Sequence, residues 1–252
     1  MWMRARINKL TSFLLKQLDK IVLPVDFSKK AIKYLAAESY VDLWNVRPMN
    51  GQKNRIRTCY YLARILKPTH AIETGTYIGT TTQYLTSMVS KKTFSIEINE
   101  KFLLTSSTRL KKEFESGILE LISGDSKIEI KKVLESLDPT GDRVLAYLDA
   151  HWLDYIPLRE EIQCLLDWQG VFIAVIDDFK VPWDTGYGYD KYEKHQIDVS
   201  HIPISEKFTV WLPSESAKYE SGAIRGTAYL IHNDLSPQIY NDIDELKITP
   251  FN

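Results

Sequence analysis

The sequence predicts an α/β fold: a Rossmann-like, open, mostly parallel seven-stranded sheet with helices on both faces and a C-terminal antiparallel hairpin. Two patterns carry this. Short apolar strands alternate with helical stretches five times between residues 70 and 176, the signature of parallel strands joined by helical crossovers. The stretch VFIAVI at 171–176 is apolar at every position, as a strand buried on both faces must be.

The elements follow in order. Residues 1–22 repeat Ile7, Leu10, Leu14, Leu18 and Ile21 at helical spacing and carry Arg4, Arg6, Lys9, Lys16 and Lys20 against one acid, Asp19. Two readings stand: a helix packed on the core or on a second subunit, and an interfacial helix on an anionic membrane. Pro24 ends it, and a second helix is expected over 28–37. These form an N-terminal helical extension, residues 1–50, ahead of a main domain at 51–252. A helix over 54–66 closes at Pro68. Strands are expected at 70–73, 93–98, 118–122, 143–148 and 171–176, with helices at 80–89, 100–115, 126–137 and 157–168 between them. Ser126 with Glu129 reads as a capping box. Strands at 207–212 and 226–231 have no helix between them and read as the hairpin.

Composition limits the function. Lys and Arg total 32 against 33 Asp and Glu, a net charge of −1, which argues against nucleic-acid binding through bulk charge. Cys59 and Cys164 form no Cys-x-x-Cys pair, so neither a zinc motif nor a disulfide framework is expected, and a reducing, cytoplasmic setting is. No apolar stretch approaches the ~20 residues of a membrane-spanning helix, nor the ~7–15 residues of a secretory apolar region.

In such sheets ligands bind beyond the carboxyl ends of the strands, where strand order reverses. Those ends read Glu73-Thr-Gly75-Thr76-Tyr77-Ile-Gly79-Thr80, Glu97, Gly124-Asp125-Ser126, Asp149-Ala-His151-Trp152 and Asp177-Asp178. All are acidic or glycine-rich. Gly75 and Gly79 suit a close backbone approach, or a plain strand–helix turn. Their G-x-x-x-G spacing differs from the G-x-G-x-x-G of dinucleotide sites and from the phosphate loop that ends in Gly-Lys-Ser/Thr. Glu97 suits ribose hydroxyls, or a solvated strand end. Turn and acid together favour a nucleoside without a pyrophosphate.

Through ETGTYIG, FSIEINE, SGDS, YLDAHW, VIDDF and the hairpin, residues 54–232 resemble class I S-adenosylmethionine-dependent methyltransferases. The resemblance implies that Glu73, Gly75 and Gly79, with Thr76, Tyr77 and Thr80 of the same turn, line the methionine part of the cofactor. Glu97 would hold the ribose, and Gly124, Asp125 and Ser126 would lie at the adenine. Asp149, Asp177 and Asp178 match the acidic pattern of divalent-metal-dependent O-methyltransferases of catechol and macrocin (sugar) type. Three aspartates make an oxygen site for magnesium, manganese or calcium. The lysine that catechol-type enzymes carry after the first aspartate is absent, since His151-Trp152 stands there. That leans toward an alcohol, such as a sugar hydroxyl, as the methyl acceptor.

His151 is the candidate general base, with a structural histidine as the alternative. Asp149 is grouped with it as catalytic and as a cofactor neighbour. The aromatic stretch at 179–192 reads as an acceptor loop, with Trp152, Trp183, Tyr187 and Tyr189 as stacking platforms, or as a loop packed on its own core. Competing readings are a methyltransferase-like subunit without catalysis, a hydroxylase of the cephalosporin-hydroxylase-like group and a nicotinamide dehydrogenase. A homodimer through the N-terminal helices is the expected assembly, and a small molecule the expected partner.

Overall fold

A computed structural model describes residues 47–152, 155–193 and 195–251. The two helices expected before residue 38, and the dimer arm and membrane contact suggested for them, lie outside the described residues.

The sheet has eight strands in the order β3-β2-β1-β4-β5-β7-β6-β8. They are β1 (His70–Thr74), β2 (Lys92–Glu97), β3 (Leu119–Ser123), β4 (Arg143–Leu148), β5 (Val171–Ile176), β6 (Phe208–Pro213), β7 (Ala228–His232) and β8 (Ile248–Pro250). The first five are parallel, and β7 enters antiparallel between β5 and β6. The eighth strand, three residues paired to β6, is too short to carry a period-two pattern and went unpredicted.

Helices α1 (Lys53–Leu66), α2 (Thr80–Thr86), α3 (Glu100–Arg109), α4 (Lys111–Glu115), α5 (Ser126–Glu135) and α6 (Leu158–Trp168) connect or flank the parallel strands, and α7 (Ser236–Asn241) and α8 (Ile243–Leu246) precede β8. None of the described helices is long and apolar enough to cross a membrane. Alternation along β4 splits the core. Val144, Ala146 and Leu148 join Ile130, Val133 and Ile162 of α5 and α6 on one face. Leu145 and Tyr147 join Cys59, Leu62 and Leu66 of α1 on the other. That is the two-residue period of a strand covered on both sides.

Two local expectations need correction. The single helix over 100–115 breaks at Leu110, whose φ of −97° and ψ of 25° leave the helical region. Leu110 is fully buried and packs where a Cβ on Gly79 would stand, 2.7 Å from Leu110 Cδ1. Helix α5 is capped by Asp125, whose side chain accepts from Lys127 N at 3.0 Å. Ser126 is the first helical residue, and Glu129 bonds Lys132 at 2.8 Å instead of closing a capping box.

β1 lies between β2 and β4. The chain runs outward from β1 to β3 and then returns to β4 on the other side, so the order reverses at β1 and β4. The turn after β1 and Asp149 after β4 meet there, with Asp149 N donating to Thr74 O at 3.0 Å.

Candidate functional site

The turn after β1 is built by left-handed backbone. Gly75 has φ +83° and Gly79 has φ +77°, a region that costs other residues about 1–2 kcal/mol. Tyr77 adopts φ 49° between them, and its N–H donates to Glu97 Oε2 at 2.8 Å. Asn99 N–H donates to Oε1 at 2.8 Å. Both oxygens of Glu97 are thus fixed by backbone donors, and each keeps a lone pair for a further donor.

Glu73 behaves differently. It is 1% exposed and accepts from Ser95 Oγ at 2.5 Å and from the Thr82 hydroxyl. Burial pushes its carboxyl up to about 7. It braces β1 against β2 and α2 from beneath the turn. Thr76 is also turned inward, bonding Ser95 Oγ at 2.6 Å. Thr80 opens α2 and is buried.

Gly124 leads from β3 to Asp125. A Cβ on Gly124 would stand 2.7 Å from Glu129 Cγ. Asp125 accepts a second bond, from the Tyr155 hydroxyl. Tyr155 carries Lys127 over its ring at 4.9 Å and pairs backbone to backbone with Trp152 at 2.9 and 3.1 Å. Trp152 is 73% exposed, beside Asp125's partner. Tyr155 was missed in the sequence, although it lies six residues after Asp149.

Glu161 of α6 was also missed. It is 1% exposed, with the hydroxyls of Ser126 and Thr74 beside it, and burial pushes its carboxyl up to about 7. An unfolded glutamate titrates near 4.5. Between those values the folded chain holds the extra protons, so stability falls as pH rises through that window. His70, His151 and His232, held below their usual pKa by burial, act in the opposite sense, so the comparison is between proteins: Glu161→Gln should lose less of its urea midpoint from pH 5 to pH 8 than the unaltered chain. Equal pH dependence in the two proteins would contradict the burial of Glu161.

At the ends of β4 and β5 four aspartates gather, and the structure sorts them. Asp178 has φ 53°, which turns successive carboxylates apart. Asp177 points back into the core. It pairs with Arg55 of α1 (both side chains 1% exposed), and accepts from Tyr147 OH at 2.6 Å and from Asp178 N at 2.6 Å. Burial opposes its ionisation, but Arg55 and then Tyr147 outweigh that and hold the carboxyl below its ordinary value.

Asp178 points the other way, to Arg225 Nε at 2.6 Å. Arg225 Nη2 also pairs with Asp190, a residue of the loop after β5. Burial and Asp177 push Asp178 up to about 7 against the pull of Arg225. Burial, then Asp177 and Asp178, push Asp149 well above its usual range.

The carboxylates of Asp149 and Asp178 and a ring nitrogen of His151 all lie within 4.8 Å of one another. So Asp149 and Asp178 come together with His151, while Asp177, expected beside Asp149, stands back as the counter-ion of Arg55. His151 Nε2 is 3.9 Å from Asp149 Oδ1 and 3.8 Å from Asp190 Oδ2. Burial holds the ring below its usual pKa, in the neutral form. Counting Asp149, Asp177, Asp178 and Asp190 against Arg55 and Arg225, the ionised cluster carries two surplus negative charges. That suits a divalent cation.

The loop after β5 is pinned rather than free. Asp190 N donates to Asp178 O at 2.9 Å, Gly188 N to Ile224 O at 2.9 Å and Gly226 N to Gly188 O at 2.7 Å. Tyr187 is 4% exposed, packs on Val181 and Ala217, and donates to Glu215 O at 3.1 Å. Trp183 donates to Pro213 O at 3.2 Å and lies against Phe251. Both act as anchors of the loop. Tyr189, half-buried with Lys180 over its ring at 5.6 Å, and exposed Trp152 keep aromatic faces available.

By sequence, no protein family and no curated protein matches the chain. By structure, it is similar to the O-methyltransferase TomG of Streptomyces achromogenes, involved in tomaymycin synthesis and solved with SAM. The TM-score is 0.50 at 15% identity, over 92% of this chain and all of that one. A methyltransferase of Geobacter sulfurreducens aligns at 0.49 with 13% identity, over 88% and 96% of the two chains. An O-methyltransferase of Bacillus cereus, solved with SAH, aligns at 0.48 with 12% identity, over 86% and 96%. The chain has the class I methyltransferase fold.

Proposed function

We propose that this protein transfers a methyl group from S-adenosylmethionine to a hydroxyl oxygen of a small molecule, with a divalent cation at the acid cluster. The observation that carries the reading is that a fixed Glu97 and the Asp149–Asp178 cluster stand on opposite sides of one strand-order reversal, at the same edge of the sheet. The donor set suits an adenosyl group. Glu97 offers an oriented carboxylate to vicinal hydroxyls. Asp125, at the head of α5 and steadied by Tyr155, offers an acceptor to an amine at the ring end. The Gly75–Gly79 turn, at the end of the neighbouring β1, forms the floor beside Glu97.

S-adenosylmethionine supplies an electrophilic methyl on a sulfonium. The chain's task is to hold an acceptor oxygen in line with it, a positioning effect able to contribute ~7–11 kcal/mol. Asp149 and Asp178 would hold the cation, which lowers the pKa of an oxygen bound to it. Trp152 and Tyr189 offer faces to a sugar or ring. Two roles fit the unpartnered nitrogen of His151: receiving the acceptor's proton, and binding the cation.

Calorimetric titration with S-adenosylmethionine, followed by assay of S-adenosylhomocysteine release against sugar and catechol acceptors in magnesium or manganese, tests the reading. Glu97→Gln is expected to weaken cofactor binding roughly tenfold or more, the worth of a charge-assisted hydrogen bond, while the fold survives. Absence of any heat with S-adenosylmethionine would defeat the proposal at its first step.

A further inference from the structure

We infer that the cation centre is a mixed carboxylate–imidazole site, Asp149–His151–Asp178, that takes a transition-series divalent ion such as manganese, iron(II), cobalt or zinc in preference to magnesium or calcium. The inference rests on the proposed function only for the presence of a cation.

The first observation is the nitrogen itself. The His151 side chain is 2% exposed, and its Nε2 has no hydrogen-bond partner. A buried polar atom left unpaired is costly and calls for a cause, such as an ion. The carboxylates that flank it, with Asp149 Oδ1 at 3.9 Å and Asp190 Oδ2 at 3.8 Å, are too far to bond it. Asp149 stands beside it as a second ligand of an ion would.

The second observation is the removal of Asp177. Three acids on adjacent strand ends make an all-oxygen set, the chemistry of magnesium and calcium. Here Arg55, Tyr147 and the Asp178 N–H occupy the Asp177 carboxylate. Two carboxylates and one imidazole remain within mutual reach, and imidazole shifts preference toward iron and zinc, with manganese, the ion common to oxygen and mixed sites, tolerated better than magnesium or calcium. Asp190 is held to Arg225 and the Tyr192 hydroxyl, and one oxygen of Asp178 is held to Arg225. The second Asp178 oxygen, Asp149 and His151 are left for the ion. The geometry thus assigns Nε2 to the cation, and the acceptor's proton goes to another group.

The test uses the full chain, stripped with a chelator and titrated with Mn2+ alone and Mg2+ alone, without S-adenosylmethionine. Mn2+ is expected to bind roughly tenfold or more tighter than Mg2+. Pulsed electron paramagnetic resonance of the Mn2+ form should show nitrogen coupling from one directly bound imidazole. His151→Gln should abolish that coupling, while His201→Gln leaves it. Because the nitrogen signal is read on the unaltered chain, a variant that folds poorly cannot hide the answer. Bound Mn2+ without nitrogen coupling, or coupling that survives His151→Gln, overturns the inference and leaves the methyl-transfer proposal standing. Failure of any cation to bind overturns both the inference and the cation's part in that proposal, while calorimetry with S-adenosylmethionine still decides the rest.

Discussion

Gly75→Ala should destabilise the fold by roughly 3 kcal/mol or more and abolish S-adenosylmethionine binding. The glycine has φ +83°, and a Cβ there would stand 2.3 Å from the Asp149 carbonyl oxygen, 2.8 Å from its carbonyl carbon and 3.3 Å from Ala150 N. These are backbone atoms at the end of a central strand. They yield only if β1 and β4 part at Thr74 and Leu148, which are paired in register. Parting them would displace Asp149 from the acid cluster and the turn from Glu97 together. Gly117 provides the control: its φ is +79°, but a Cβ there meets nothing within 4 Å. Gly117→Ala should therefore cost only the left-handed penalty of about 1–2 kcal/mol. Urea unfolding of both variants, with calorimetry on each, separates backbone strain from collision. Equal losses in the two would mean that the turn does not press on the β4 end.

The parallel sheet was legible because each strand's burial is written in its own few residues. Residues 143–148 and 171–176 were read with the bounds the structure gives, since apolar residues on both faces leave no alternative placement. The acidic strand ends were legible as a group for the same reason, because topology brings such ends to one edge whatever their side chains do. Which way each side chain turns was not legible. Asp177 and Asp178 are adjacent and chemically identical. Their separation depends on the positive φ of Asp178 and on partners far along the chain, Arg55 and Arg225. No local pattern announces either pairing. The contacts of Trp183 and Tyr187 were equally illegible. An aromatic loop over a site and an aromatic loop anchored to its own core share one composition, and only the bonds to Pro213 and Glu215 distinguish them. Glu73 matched the resemblance by position, yet Ser95 and Thr82 claim its carboxylate. A motif fixes where a residue stands more surely than what it touches.

Arg55→Met should cost roughly 3–5 kcal/mol, the penalty of leaving a buried carboxylate without its counter-charge. Arg55 binds Asp177 and Tyr147 through one nitrogen, and the carbonyls of Arg225 at 2.8 Å and Gly226 at 3.0 Å through another. The Gln52 side-chain amide adds a reciprocal pair, donating from Nε2 to the Arg225 carbonyl and accepting the Arg225 N–H at Oε1, both at 2.7 Å. The start of α1 is therefore clasped to the segment that presents Arg225 to Asp178 and Asp190. With Arg55 gone, Asp177 either protonates or turns toward Asp149, whose proton affinity is already raised by it. The double variant Arg55→Met/Asp177→Asn removes both charges at once and should recover a large part of the loss, since an uncharged pair of similar volume avoids the stranded ion. A double-mutant cycle from urea unfolding measures the coupling directly. Strong coupling would place the two residues in one brace beneath the acid cluster, so that a contact from α1, outside the strand-end motifs, decides which aspartates are left to act. Additive losses would mean that Asp177 is held in place by Tyr147 and the backbone alone.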